Sequence, residues 1–150
     1  MIVLTRVDNR LIHGQIVQSW LPSLDVSEVL IVSPGAVKKE FVRKMLRISL
    51  PGGYKLTVLG AKEAVKYSEE CPEKLFIIIE DIANLFEMLK EGFCPTVINL
   101  GNTQFLEGKK QYSQGVFLSD SEAEELRKIA VEKHISVQIR ALPSTLATRL

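Results

Sequence analysis

Leu75-Phe76-Ile77-Ile78-Ile79 is an unbroken run of five apolar residues. A strand with one solvated face alternates apolar and polar residues. An unbroken run therefore reads as a strand covered on both sides, as in a parallel sheet. Glu80-Asp81 follows at once, and Asp81 is placed to cap a helix that runs to Glu91 and ends at Gly92. A second buried run, Thr96 to Leu100, comes next. Strand, helix and strand in this order form a unit that joins parallel strands.

The same alternation extends toward the N-terminus. Lys55 to Leu59 reads as a strand, and Ala61 to Cys71 as a helix with Ala64, Val65 and Tyr67 on or near one face. Val37 to Leu50 carries Val37, Phe41, Met45 and Ile48 at helical spacing and ends at Pro51-Gly52-Gly53. Its Lys38, Lys39, Arg43 and Lys44 read as a solvated side. Glu28 to Ser33 is a strand, Gln15 to Leu21 a short helix stopped by Pro22, and Ile2 to Val7 the first strand.

Toward the C-terminus, Val116 to Leu118 is a short strand. Ser119 or Ser121 caps a helix from Glu122 to Lys133, and Ser136 to Ala141 is the last strand. His134 follows a helix end, where the dipole favours a cation. Gly101 to Gly115 has few apolar residues and reads as a loop of about fifteen residues, long enough to suggest function. The expected fold is α/β: an open, mainly parallel twisted sheet of six to seven strands with helices on both faces.

Composition narrows the function classes. The 150 residues fit one domain, 46% hydrophobic and 25% charged. The 19 basic and 18 acidic residues leave a net charge of +1, with no global field for a nucleic-acid backbone. Cys71 and Cys94 form no CxxC pair and have no histidine at zinc-ligand spacing, so reduced thiols and no metal are expected. No basic leader precedes an apolar stretch, and no apolar run is long enough for a bilayer; the expected location is the cytoplasm. No Gly-x-Gly-x-x-Gly or Gly-Lys-Ser/Thr loop supports a nucleotide site. No cofactor is expected.

Ligands of open α/β sheets bind beyond the carboxyl ends of the strands. After the first strand stands Arg6-Val7-Asp8-Asn9-Arg10-Leu11-Ile12-His13-Gly14-Gln15, with one of only two histidines in the chain. A neutral imidazole attacks a phosphoryl group without prior deprotonation. Phosphoryl transfer also needs its equatorial oxygens neutralised. Arg6 and Arg10 are the local cations, and Asp8 is placed to orient the ring. Gly14 lets backbone approach a ligand, and the N–H groups near Gly14 and Gln15 open a helix, a natural anion site. Asn99 and Gly101 end another strand and are expected beside His13. Lys109 and Lys110 could add charge there or form a solvated loop. Glu80-Asp81 offers a carboxylate pair, with Asp81 favoured as a helix cap.

The segment from Arg6 to Val17, with Trp20 shortly after, closely resembles the opening of the IIB component of the mannose/fructose/sorbose family of the bacterial phosphotransferase system. Val97-Ile98-Asn99-Leu100-Gly101, followed by Phe105 and Gly108-Lys109-Lys110-Gln111, resembles a later segment of that family. Similarity covers nearly the whole chain, so residues 1–150 are read as one IIB domain. The resemblance implies that a phosphorylated IIA component passes its phosphoryl group to Nδ1 of His13. The group then goes to a sugar entering through the IIC and IID membrane subunits. It also implies a cytoplasmic protein held peripherally at the inner membrane by those subunits. Two positions depart from the family pattern: Asn102 replaces a common glycine, and Leu106 a common arginine. A regulatory protein phosphorylated on the same histidine is the alternative, and a homodimer is left open.

Overall fold

The computed structural model describes residues 1–150. Its strands are β1 (Ile2–Asp8), β2 (Glu28–Val32), β3 (Lys55–Leu59), β4 (Leu75–Ile79), β5 (Val97–Asn102), β6 (Lys110–Ser113), β7 (Val116–Leu118), β8 (Ser136–Ile139) and β9 (Thr148–Arg149). The helices are α1 (a π-helical turn over Ile16–Trp20 continued by Leu21–Ser23), α2 (Pro34–Val37), α3 (Glu40–Ser49), α4 (Ala61–Glu70), α5 (Ile82–Lys90) and α6 (Asp120–Glu132). Seven strands form one sheet in the order β3-β2-β4-β1-β5-β8-β9, and β6 pairs with β7 in a separate hairpin. All pairings in the large sheet are parallel except β8 with β9.

All five residues of β4 are fully buried, because it pairs with β1 and β2 and both its faces are covered. One face packs Ala64 and Val65 of α4, Leu85 and Met88 of α5, and Leu126 of α6 against Leu75, Ile77 and Ile79. The other packs Ile16, Trp20 and Leu21 of α1 and Leu46 of α3 against Phe76 and Ile78. The connection leaving β1 thus crosses one face, while those leaving its neighbours β4 and β5 run to the other. The carboxyl end of β1 lies at this divergence, where open sheets leave a crevice.

The helix ends follow local chemistry. The Asp81 side chain accepts from Asn84 N–H at 2.8 Å. Ser119 and Glu122 form a reciprocal capping box at α6. His134 takes a left-handed backbone, φ 55°, after α6.

Four expectations need correction. Pro22 does not stop the first helix: it falls near the start of the α-helical turn Leu21–Ser23, where a missing N–H costs little, and the chain becomes extended at Leu24. The Val37 to Leu50 helix is two helices, broken because Lys39 is extended at φ −120°, ψ 99°. The Gly101 to Gly115 segment is not all loop. It holds the end of β5 and all of β6, whose few apolar residues reflect an exposed or half-buried strand. The face of α3 that meets the core carries Val42 and Leu46, continued by Leu50 just past its end; Phe41, Met45 and Ile48 are exposed.

Candidate functional site

The site is built on a tight turn at the end of β1. Leu11 N–H donates to Asp8 C=O at 3.0 Å, and Leu11 adopts φ 57°. A non-glycine residue there costs about 1 kcal/mol or more. Burial of the Leu11 and Ile12 side chains in the core opposes that cost and anchors the turn. His13 follows at the rim, its side chain 17% exposed. The first helical bond beyond it is Val17 N–H to His13 C=O at 3.0 Å. The N–H groups of Gly14 and Gln15 precede that bond, and both residues are exposed. Open space surrounds the Gly14 α-carbon.

Six contacts converge on the fully buried Asp8 carboxylate. Arg6 donates to Oδ2 from Nε at 3.1 Å and from Nη2 at 3.0 Å. Arg10 donates to Oδ1 from its backbone N–H at 3.1 Å and from Nε at 3.2 Å, and to Oδ2 from Nη2 at 3.3 Å. His13 Nε2 lies 3.0 Å from Oδ2. Burial alone would raise the Asp8 carboxyl. The hydrogen bonds from His13 and Arg10, with the charge of Arg6, outweigh burial and lower it to about 2. An ionised carboxylate only accepts, so Nε2 of His13 carries the proton of this bond. In the neutral ring the lone pair is then on Nδ1, which makes no hydrogen bond within the protein.

Arg6 is not free to hold a phosphate. Its side chain is fully buried. Its five N–H groups match five acceptor contacts: two to Asp8, one to Asn99 Oδ1, one to Arg140 C=O at 2.9 Å and one to Ala141 C=O at 3.3 Å. The guanidinium also stacks 4.9 Å from the Trp20 ring centroid. Arg6 therefore lies beneath the site and positions Asp8. Asn99 is likewise buried; it accepts from Arg6 and donates to Arg140 C=O at 3.2 Å. Gly101 serves Arg6, because a Cβ at Gly101 would stand 1.9 Å from Arg6 Cζ. It is the extra residue in a β-bulge: Val7 pairs with Leu100, but Asp8 with Asn102. The expectation that Arg6 and Asn99 contact phosphate is corrected, since their polar groups are already used internally.

Arg10 is the accessible cation, with its side chain 39% exposed and Nη2 donating to Gln15 Oε1 at 3.3 Å. Arg10, Gln15, Gly101 and Gln114 line an open cavity of about 260 Å³. Across Asn9 lies a second cavity of about 460 Å³, bounded by Glu80, Asp81, Lys109 and Glu122. Lys109 pairs with Glu122 at 3.1 Å and Lys110 with Asp120 at 2.8 Å, so both lysines are engaged on the α6 side. Glu80 accepts from Ser33 Oγ at 2.7 Å. No three His, Cys, Asp or Glu side chains converge as a metal shell requires.

Several supports were not legible in sequence. The carbonyls of Arg140 and Ala141 hold Arg6, and Ala141 C=O also accepts from Trp20 Nε1 at 3.0 Å. A backbone acceptor after the last strand leaves no compositional signal. Asn102 Nδ2 donates to Asn9 Oδ1, so the departure at Asn102 ties β5 to the turn.

The site thus sits on an open α/β domain, with a hydrogen-bonded imidazole and a partly exposed arginine at the central divergence of its mainly parallel sheet. Residues 2–149 match the family described as PTS system sorbose subfamily IIB component, and the chain belongs to that family. It is a sugar-transport component of the phosphotransferase system. It is similar to the PTS system sorbose-specific EIIB component of Lacticaseibacillus casei, 29% identical over 135 residues, covering 86% of this chain and 80% of that one. It is also similar to the N-acetylgalactosamine-specific phosphotransferase enzyme IIB component 1 of Escherichia coli, 27% identical over 145 residues, covering 95% and 91%. Among solved structures, manxB from Thermoanaerobacter tengcongensis superposes with a TM-score of 0.90 at 26% identity, covering 99% of this chain and 92% of that one.

Proposed function

We propose that His13 carries a phosphoryl group between a phosphorylated IIA component and a sugar, the reaction of a protein-Nπ-phosphohistidine–sugar phosphotransferase. The observation that carries this reading is the 3.0 Å contact of His13 Nε2 with the ionised Asp8 carboxylate. It favours the tautomer whose Nδ1 lone pair is free to attack. In the first step the P–N bond to the donor histidine breaks as the P–Nδ1 bond to His13 forms. Asp8 stabilises the positive charge that develops on the ring. Arg10 and the N–H groups of Gly14 and Gln15 neutralise the equatorial oxygens. In the second step a sugar hydroxyl oxygen attacks phosphorus as the P–Nδ1 bond breaks; the electron pair returns to Nδ1, the hydroxyl proton passes to solvent, and His13 is left neutral with its proton on Nε2.

Of the two arginines at the turn, only Arg10 is exposed enough to face the group. That suits a carrier, because a denser basic pocket would retain the phosphate. Relatives named for sorbose and N-acetylgalactosamine support a sugar as final acceptor. IIB components work with IIA and with IIC and IID-type partners. We place this chain in the cytoplasm, meeting IIC and IID at the inner membrane and acting as a single IIB domain.

The test supplies labelled phosphoenolpyruvate, the general phosphotransferases and a IIA component. The expected product is acid-labile, base-stable phosphate on His13, with phosphorus bonded to Nδ1 by nitrogen-detected NMR. Normal label uptake by His13→Ala would overturn the assignment. With IIC and IID present, the label is expected to reach the sugar. Retention on the protein would argue for the regulatory role instead.

A further inference from the structure

Helix α3 turns an apolar ridge to solvent. Phe41 is 74% exposed, Met45 46% and Ile48 77%. At about 100° per residue these side chains fall within about 60° of one another, about 130° round from half-buried Val42 and buried Leu46 and Leu50. Val37, at the end of α2, is exposed on the same side of the sheet.

The charge of this segment is as one-sided as its apolarity. From Val37 to Ile48 there are five basic residues, Lys38, Lys39, Arg43, Lys44 and Arg47, and one acidic residue, Glu40. That is +4 in a chain whose total is +1, so the remaining residues carry −3. Glu40 pairs with Lys44 at 3.2 Å. No carboxylate pairs with Lys38, Lys39, Arg43 or Arg47; Arg43 and Arg47 donate to backbone carbonyls, which leaves their charge uncompensated.

We propose that α3 docks the protein on an anionic lipid surface. Phe41, Met45 and Ile48 enter the headgroup–acyl boundary, and the flanking lysines and arginines meet lipid phosphates. Charge complementarity points to an anionic partner. Its deformability follows from the shape of the ridge: three projecting side chains in single file. They bury on the order of 400 Å², well short of the ~1,200 Å² of a specific protein interface. A bilayer accepts such a ridge without a matching groove, and adds about fivefold in binding for each nearby cation.

The orientation is compatible with the site. α2 and the start of α3 leave the carboxyl end of β2, the same edge of the sheet that bears His13. Strands β2 and β1 are separated only by β4, about 10 Å in all.

The test is co-sedimentation of the full chain with vesicles of phosphatidylcholine alone and of phosphatidylcholine mixed with phosphatidylglycerol. Binding is expected only to the mixed vesicles and should weaken at high salt. The double variant Phe41→Ser/Ile48→Ser should lose at least tenfold in binding. Lys38→Gln/Lys39→Gln should lose about twentyfold at low salt and much less at high salt. These side chains are exposed, so both variants should unfold at the wild-type temperature. His13→Ala should bind vesicles like wild type, so failure of lipid binding and failure of the carrier role are separable. No binding to mixed vesicles, or binding indifferent to both double variants, overturns the proposal. So does self-association or IIA binding lost in Phe41→Ser/Ile48→Ser when vesicle binding is absent, since either assigns the ridge to a protein.

Discussion

Replacing Asp8 with asparagine keeps the side-chain size and removes one charge. In the wild type, Asp8 and Arg6 are both fully buried, 3.0 Å apart. The variant leaves the Arg6 guanidinium in place with its charge uncompensated. Breaking a buried pair from one side costs about 3–5 kcal/mol. The retained bonds to Asn99, Arg140 and Ala141 favour the lower end. With a urea m-value of about 2 kcal/mol/M, the midpoint should fall by about 1.5–2 M.

A second effect is catalytic. An asparagine no longer stabilises positive charge on the His13 ring and can present its amide N–H to Nε2, favouring the wrong tautomer. Phosphoryl uptake from IIA should slow by about a hundredfold or more. The assays are urea unfolding and single-turnover uptake, the latter run where the variant remains folded. Asp8→Asn combined with Arg6→Met should recover part of the stability and none of the rate. An unchanged urea midpoint would refute the buried ion pair, and an unchanged uptake rate would refute Asp8 as the group that orients His13.

Acid should act on the same pair. The Asp8 carboxyl is lowered from an ordinary value near 3.8 to about 2 on folding. Its contribution, about 2 kcal/mol, is present above about pH 4 and is lost as pH falls toward 2. Urea midpoints measured across that window should decline more steeply in wild type than in Asp8→Asn. Gly101→Ala should destabilise by about 3 kcal/mol, because the new Cβ would stand 1.9 Å from Arg6 Cζ; thermal unfolding checks this. Arg10→Ala should slow transfer by about a hundredfold and weaken IIA binding much less, because its charge matters most while the phosphoryl group moves. Equal losses in rate and affinity would make it a docking residue.

Much of the architecture was legible because it rests on local patterns. The apolar run Leu75–Ile79, the Asp81 and Ser119 caps and the strand–helix alternation each depend on a few neighbouring residues. The position of His13 after β1 was legible for the same reason, since a strand end, a glycine and a helix start are consecutive. Arg6 was not. Its role depends on acceptors 93 and 134 residues away, Asn99 and Arg140, which meet it only when β1, β5 and the chain after β8 align. Pattern alone could not decide which side of a central-strand arginine is dry.

Helix α3 marks the same boundary. Phe41, Met45 and Ile48 share one face by periodicity, and Val42, Leu46 and Leu50 share another. By itself the sequence determined that both stripes exist. Only the packing of α3 beside Ala36, Ile31 and Ile78 decided which stripe is buried, because periodicity states which residues face together and not what they face.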